Sequence, residues 1–253
     1  MRLVDGKNED FMGFSVYNGT RDSLINKIKQ DLLTGNKNII IAVNPKKIVL
    51  SKKSSEAASA FHAATVHIAD GVGIVIGARK FGIHIKERIT GIDLLEGILR
   101  KIAPMKIPIF FFGASEENLV RAVDNIKSTY KEINIVGQCN GYIEEKSKVV
   151  EQIRNSRAEV LVVALGSPAQ EIFVKEYCNE LKNVKLILTV GGSIDVLSKR
   201  VKRAPKLICK MNIEWLYRMI SQPKRIIENR FLLEYISLLL REIRRRGSRN
   251  NDC

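Results

Sequence analysis

The sequence predicts an α/β protein with a Rossmann-like, mostly parallel sheet, helices on both faces, and a basic helical appendage at the C-terminal end. Short apolar runs alternate with amphipathic segments through the first 198 residues, an order typical of a sheet covered by helices. The runs are rich in β-branched residues and lack polar alternation, as in parallel strands buried on both faces. Residues 199–253 hold 15 Lys and Arg against 5 Asp and Glu, so 10 of the net charge of +15 lies there. We therefore divide the chain into a core, 1–198, and an appendage, 199–253.

Hydrophobic periodicity predicts the individual elements of the core. Apolar runs of core-strand length predict strands at 39–43, 66–69, 107–112, 133–136, 159–165 and 185–190. Apolar residues at helical spacing predict helices at 21–33, 53–64, 92–102, 115–128, 145–156 and 168–182. Parallel sheets bind ligands beyond the carboxyl ends of their strands. The unusual polar and glycine residues follow the predicted strands, so we expect the functional site at that edge.

The appendage contains an amphipathic segment at 231–246. Glu234, Ser237, Arg241 and Arg244 recur at spacings of three and four and form one polar stripe on a predicted helix. Such a helix can lie in a membrane interface while its arginines meet lipid phosphates. A helix packed on the core or on another subunit is the alternative. We do not expect nucleic acid as a partner, because the arginines interleave with aliphatic residues and no nucleic-acid motif is present.

Several classes of protein are disfavoured by the sequence. No apolar run approaches the roughly 18–20 residues needed to span a bilayer, and the polar N-terminus lacks the apolar region of a secretory signal. We therefore expect a cytoplasmic protein. Its four cysteines are not spaced as C-x-x-C and do not cluster with histidines, so no metal or redox site is expected.

Asp70 is the first catalytic candidate. It ends the apolar run V-H-I-A and precedes Gly71 and Gly73, which would let a substrate approach the backbone closely. A carboxylate at this place can accept a proton from an attacking hydroxyl. The alternative is an Asp that caps the following helix.

Arg88, in the segment K-E-R-I-T-G, is the second catalytic candidate. Its guanidinium can bind the oxygens of a diphosphate in a bidentate manner. The alternative is a surface salt bridge with Glu87 or Asp93.

Three further turns are predicted to bind substrate. Asn44 could donate to a sugar or phosphate, or cap the next turn. Gln170 and Glu171 open a helix after L-G-S-P-A, and a helix N-terminus favours anions. Gly191–Gly192 could pass close to a nucleotide, and Asp195 could hold a ribose hydroxyl or cap its helix.

The order of these motifs resembles the WecG/TagA/CpsF family of bacterial glycosyltransferases, from about Phe14 to about Arg230. The motifs are V-N-P (43–45), D-G-V-G (70–73), E-R-I-T-G-I-D (87–93), L-G-S-P-A-Q-E (165–171), V-G-G-S-I-D (190–195) and R-A-P…E-W-L-Y-R…Q-P-K-R (203–225). The resemblance implies that Asp70 is the general base and that Arg88 lies in the active site. It implies that 165–171 lines the nucleotide-sugar pocket, and that Arg218 and Arg225 neutralise the diphosphate leaving group.

The chain departs from the family pattern at two positions. Ala42 stands where Thr is usual, and Glu228 stands where a basic residue is common; Arg203 and Arg230 could then act as further cationic partners. The resemblance implies inverting transfer of a sugar, with N-acetylmannosamine the first expectation, from a UDP-sugar to undecaprenyl-diphosphate-linked N-acetylglucosamine. Other implied donors are UDP-glucose and UDP-N-acetylmannosaminuronic acid. The pathway would build teichoic acid or another surface polysaccharide.

The implied partners are the UDP-sugar, the polyprenyl-diphosphate acceptor, and the anionic inner face of the cell membrane, with a homo-oligomer as a further expectation. The sequence has no D-x-D motif of the kind that holds a divalent cation on the diphosphate. We therefore expect a metal-independent enzyme without a cofactor, in which protein cations do this work.

Two other functions are compatible with the sequence. A dinucleotide-dependent oxidoreductase fits the strand–helix alternation, but no G-x-G-x-x-G opens a helix after the first strand. The other is a non-catalytic protein: a membrane or nucleic-acid adaptor that uses the basic appendage alone, or a nucleotide-sugar-binding protein at the membrane surface. Tight NAD(P) binding would favour the former, and vesicle binding without sugar transfer would favour the latter.

Overall fold

A computed structural model describes residues 8–201, positions 205 and 208, and residues 229–251, with the side chains of 230–246 in the last segment. Its strands form one sheet in the order β1-β2-β4-β3-β8-β7-β5-β6. Only β1 is antiparallel to its neighbour. The strands are β1 Asn8–Phe11, β2 Phe14–Tyr17, β3 Asn38–Val43, β4 Val66–Ala69, β5 Pro108–Gly113, β6 Asn134–Cys139, β7 Val160–Ala164 and β8 Leu186–Thr189. The predicted α/β class with a mostly parallel sheet is confirmed.

Five of the described helices begin at side-chain caps. Thr20, Asn44, Ser54, Thr90 and Ser115 each accept the backbone N–H three residues later, which satisfies one open donor of the first turn. The helices are α1 Arg21–Thr34, α2 Pro45–Lys53, α3 Ser55–Phe61, α4 Val72–Lys80, α5 Gly91–Ile102, α6 Glu116–Thr129, α7 Lys146–Asn155, α8 Ala169–Tyr177, α9 Ser193–Leu197 and α10 Asn229–Asn251, with a 3-10 turn at Ala103–Met105.

The helices cover the sheet in two layers. Apolar side chains of α1, α5, α6 and α9 pack on one face, and those of α2, α3, α4, α7, α8 and α10 pack on the other. The chain therefore leaves β8 toward one face, whereas it leaves the adjacent strands β3 and β7 toward the other. Such a divergence opens a crevice at the carboxyl edge, where open α/β sheets bind ligands.

Several elements differ from the sequence prediction. The predicted helix 53–64 corresponds to α3, which begins after its cap Ser54, whereas the preceding helix α2, Pro45–Lys53, was not predicted. The hairpin β1–β2 and the helix α4 were missed. The sequence of α4, V-G-I-V-I-G-A-R-K, contains two glycines that lower intrinsic helix propensity, and its helical form depends on packing between the sheet and α10.

One face of α10 docks on α4 and α2. The hydroxyl of Tyr235, 2% exposed, donates to the carbonyl oxygen of Gly73 at 2.8 Å. Glu234, predicted in the polar stripe, forms an ion pair with Lys53, whereas Ser237, Arg241 and Arg244 of the stripe are exposed. The predicted alternative of a helix packed on the core is thus confirmed for one face of α10. None of the helices in the described part of the chain has the length and apolar character needed to cross a membrane.

Candidate active site

Asp70 lies one residue beyond the carboxyl end of β4. Its backbone N–H donates to the carbonyl oxygen of Val43 at 2.8 Å, so Asp70 and Asn44 lie on the same edge. The following Gly71 has a φ of +109°, which L side chains rarely adopt, and a Cβ there would lie 3.9 Å from Cδ of Pro45. The Asp70–Gly71 turn therefore lies directly against the start of α2.

Arg88 is brought to the same corner by the backbone of the next residue. The N–H of Ile89 donates to the carbonyl oxygen of Ala69 at 3.1 Å, which adds this loop to the end of β4. Glu87 accepts the backbone N–H of Arg21 at 2.7 Å. Arg88 forms no ion pair with another described residue, so neither of the two salt bridges considered for it is present in that part of the chain. The structure thus assembles Asn44, Asp70 and Arg88 at one corner of the sheet.

Asn44 caps α2, as the alternative reading of the sequence proposed. Its Oδ1 accepts the backbone N–H of Lys47 at 3.0 Å, which leaves only its amide nitrogen to donate to a ligand. The neighbouring Ala42, 7% exposed, packs in the hydrophobic core. The position where Thr is usual in the family pattern therefore contributes apolar packing in this chain.

A buried ion pair lies beneath this edge, between Lys47 and Glu171. Their side chains are 3% and 0% exposed, and Lys47 Nζ donates to Glu171 Oε1 at 2.8 Å and to the carbonyl oxygen of Ala42 at 2.8 Å. Gln170 Nε2 donates to the same Glu171 oxygen at 2.6 Å, and the N–H of Gly191 donates to Gln170 Oε1 at 3.1 Å. Sequence reasoning missed Lys47, because nothing local separates it from the neighbouring Lys46.

The side chains of Gln170 and Glu171 lie behind the surface of the site rather than on it. Both were predicted to bind substrate, but Gln170 is 3% exposed and Glu171 is completely buried. The first turn of α8 directs them inward, toward α2 and the turn after β8. Among the described residues, Glu171 Oε2 has no hydrogen-bond partner. Their side chains connect turns at this edge of the sheet, and their contact with a substrate stays a prediction.

Gly191 and Gly192 form the turn after β8, and Asp195 is the third residue of α9. Gly192 opens α9, which has no side-chain cap, so the predicted capping role of Asp195 is wrong. Asp195 Oδ1 instead accepts from Asn118 Nδ2 of α6 at 2.6 Å, and Asn118 Oδ1 accepts from Arg200 at 3.3 Å. Sequence reasoning missed Asn118, whose partners lie far away along the chain. The contact between Asp195 and a ribose stays a prediction.

His67, three residues before Asp70, is held in the core. It is 5% exposed, with Nδ1 3.3 Å from the carbonyl oxygen of Ser15 and Nε2 3.0 Å from that of Phe61. Burial lowers the pKa of His67 below its usual value and outweighs the two carbonyl contacts. His67 is therefore a neutral core residue near pH 7.

Most of the predicted cationic residues of the appendage lie outside the residues that the structure describes. Arg203, Arg218, Arg225 and Glu228 lie outside the described residues. Arg230 is described, and its guanidinium lies 5.6 Å from the ring centroid of Phe231 on α10. Within the described residues, no group of three or more His, Cys, Asp or Glu side chains could hold a metal ion.

Comparison with known families identifies one family over nearly the whole chain. The model of the glycosyl transferase WecG/TagA/CpsF family matches residues 9–252. The match covers the sheet, the corner that contains Asp70 and Arg88, and the appendage. The protein belongs to the WecG/TagA/CpsF family and is a glycosyltransferase.

Proposed function

We propose that the enzyme transfers a sugar, with N-acetylmannosamine the leading candidate, from a UDP-sugar to undecaprenyl-diphosphate-linked N-acetylglucosamine, with inversion at the anomeric carbon. The assembly of Asn44, Asp70 and Arg88 at one corner supports this proposal most strongly. The three residues lie at or beside the carboxyl ends of β3 and β4, the edge where parallel sheets bind ligands, and they would supply an amide, a carboxylate and a guanidinium there. UDP-glucose and UDP-N-acetylmannosaminuronic acid are the alternative donors. The product would enter cell-wall or surface polysaccharide synthesis.

Asp70 would act as the general base. Its carboxylate would take the proton of the acceptor hydroxyl while that oxygen forms a bond to the anomeric carbon of the donor. The bond between that carbon and the β-phosphate oxygen would break on the opposite side, which inverts the configuration. The electron pair of the broken bond would leave with UDP.

Arg88 would stabilise the negative charge that develops on departing UDP. A guanidinium with no ion-pair partner among the described residues can form charge-assisted hydrogen bonds to phosphate oxygens. Arg218 and Arg225 of the appendage would join it, as the family pattern implies. The backbone at 165–171 and at Gly191–Gly192 would contact the nucleotide, and Asp195 would hold a ribose hydroxyl.

The donor and the metal requirement can be tested together. Full-length protein is incubated with a panel of UDP-sugars and a short-chain polyprenyl-diphosphate N-acetylglucosamine, with EDTA or with Mg²⁺, and the lipid product is identified by mass spectrometry. Transfer from one donor that persists in EDTA supports the proposal and names the sugar. UDP binding without transfer from any donor would favour the non-catalytic nucleotide-sugar-binding function.

The outer face of α10 supports association with an anionic membrane. Leu233, Ile236 and Leu240 are 70%, 43% and 50% exposed, and they lie at helical spacings of three and four along one face. Exposed arginines follow at 241, 244 and 245. The adjacent α4 adds Ile76, 53% exposed, with the exposed basic residues 79 and 80. Apolar area beside cations is the pattern by which an interfacial helix binds anionic lipid.

Vesicle co-sedimentation tests this surface. Binding should be stronger to vesicles with anionic lipid than to purely zwitterionic vesicles, and it should weaken as salt rises. Replacing Leu233 and Leu240 by Ser should reduce binding, whereas Leu33→Ser, an exposed leucine on α1 (66%), should not. If the surface instead forms a homo-oligomer, the Leu233 and Leu240 replacement should change the mass of the protein in sedimentation and leave its vesicle binding intact.

A further inference from the structure

We propose that the buried ion pair of Lys47 and Glu171 is a positioning device that fixes the donor-binding turns after β3, β7 and β8; this rests on the proposed function. One continuous chain of hydrogen bonds joins the three turns. It runs from Asn44 Oδ1 to the N–H of Lys47, through Lys47 Nζ to Glu171 Oε1, through Gln170, and on to the N–H of Gly191.

The side chains of the ion pair are buried and held by several contacts. Lys47 Nζ reaches three groups: the carbonyl oxygen of Ala42, the carboxylate of Glu171, and the ring of Phe61, whose centroid is 5.9 Å away. The two charged side chains are at most 3% exposed. Water therefore cannot replace either partner, and a change at one side chain must be transmitted to the other.

Stability alone does not account for such a pair. An apolar pair of similar volume commonly stabilises a core as well as a buried ion pair does, because burying two charges is costly. A hydrogen-bonded ion pair provides direction instead, since each bond fixes the distance and orientation of two groups. Here the fixed groups are backbone segments that carry predicted donor contacts, around Asn44 and Gly191.

The orientation of Gln170 shows what the pair controls. Its Nε2 donates to Glu171 Oε1, and this fixes Gln170 Oε1 toward the N–H of Gly191. Without Lys47, Glu171 would lose its charged partner and would have to recruit other donors in the same cavity. Gln170 would then be free to rotate its amide, and the Gly191–Gly192 turn would lose its anchor.

Lys47→Met tests the proposal, because it removes the charge and the hydrogen bonds but keeps a flexible side chain of similar length. Misplacement of binding groups by about 1 Å can cost on the order of 100-fold in catalysis, so we expect kcat/KM for the UDP-sugar to fall about 10- to 100-fold. The change should reside mainly in KM and in the affinity for UDP. Amide hydrogen exchange at Gly191 should become faster, because its acceptor is no longer fixed.

Lys185→Met is the matched control. Lys185 also pairs with a glutamate, Glu159, at 2.8 Å, but its side chain is 31% exposed and it precedes β8, at the opposite edge of the sheet. This variant should leave UDP affinity and exchange at Gly191 unchanged. Glu171→Gln is the second variant, because its amide oxygen can still accept a hydrogen bond from Lys47. Its kcat/KM should fall less than that of Lys47→Met, and it provides the test if Lys47→Met does not fold.

Each outcome decides the question. Weaker UDP binding together with faster exchange at Gly191, absent in the control, supports the positioning role. A folded Lys47→Met or Glu171→Gln variant that loses thermal stability but keeps wild-type KM and wild-type exchange at Gly191 would overturn it. If the wild-type protein transfers no sugar, the proposed function fails by itself, and the exchange at Gly191 still decides whether the ion pair holds the turn.

Discussion

The packing of α10 against α4 requires a glycine at position 77, because a side chain there would overlap with residues of α10. A Cβ at Gly77 would lie 2.2 Å from the hydroxyl oxygen of Tyr235, 2.9 Å from Cζ of Phe11 and 3.4 Å from Cδ1 of Leu239. The first two distances are far below van der Waals contact. Gly77→Ala therefore has to displace Tyr235 from its site between α4 and the core.

The size of the effect follows from three contributions. Replacing Gly by Ala within a helix favours folding by about 1 kcal/mol. Overpacking a tight interface costs about 1–3 kcal/mol, and loss of the hydrogen bond from Tyr235 to Gly73 costs about 1 kcal/mol. Gly77→Ala should therefore lower the free energy of unfolding by about 1–3 kcal/mol, although it improves local helix propensity.

Chemical and thermal denaturation measure this change. Gly91→Ala is the control, because its Cβ would meet only Ser193 Oγ, at 3.9 Å, and it should be neutral or slightly stabilising. Tyr235→Phe removes the atom that clashes, so it should destabilise the Gly77→Ala background less than the wild type. A Gly77→Ala variant as stable as the wild type would refute the docking of α10 against α4.

Two further predictions concern the pH dependence of folding and the cap of α2. Because burial lowers the pKa of His67, its stabilising contribution is complete above the unfolded pKa of about 6.5 and is lost as pH falls through the lowered folded pKa. Between pH 7.5 and pH 5, the free energy of unfolding should therefore fall less in His67→Gln than in the wild type. An equal fall in both proteins would contradict the description of His67 as a buried neutral residue. Asn44→Ala should cost about 1 kcal/mol of stability through loss of the helix cap, whereas Asn44→Ser should keep the cap and still raise KM for the UDP-sugar, because it lacks the amide donor. Equal KM values for Asn44→Ser and wild type would remove Asn44 from the donor site.

The sequence was informative wherever local pattern determines the structure. Apolar runs identified the buried strands β3, β4, β5, β7 and β8, because a strand buried on both faces favours apolar side chains throughout; the half-buried edge strand β6 was identified only over its first residues. The carboxyl ends of parallel strands share one edge, so the meeting of Asn44 with Asp70 at that edge was predictable from their positions after two strands. Arg88 was a candidate from its side-chain chemistry and from the family resemblance, but no local pattern indicated the backbone hydrogen bond from Ile89 to Ala69 that brings its loop to the end of β4.

The features that depend on distant partners could not be predicted. Lys47 lies in a run of lysines that is typical of a solvated helix, and only the folding of α8 against α2 and α3 supplies its partner Glu171. Gly73 and Gly77 disfavour a helix by local propensity, and their helical conformation depends on Tyr235, which packs on them from α10. In both cases, tertiary packing overrides the local signal.

The direct test of Asp70 as the general base is the rate of sugar transfer by Asp70→Asn, an isosteric change that removes the basic oxygen. General base catalysis contributes about 100- to 10,000-fold, so kcat should fall by at least about 100-fold, while UDP affinity and thermal stability stay close to those of the wild type. A kcat within a few-fold of the wild-type value, with the same donor and acceptor, would contradict the role of Asp70.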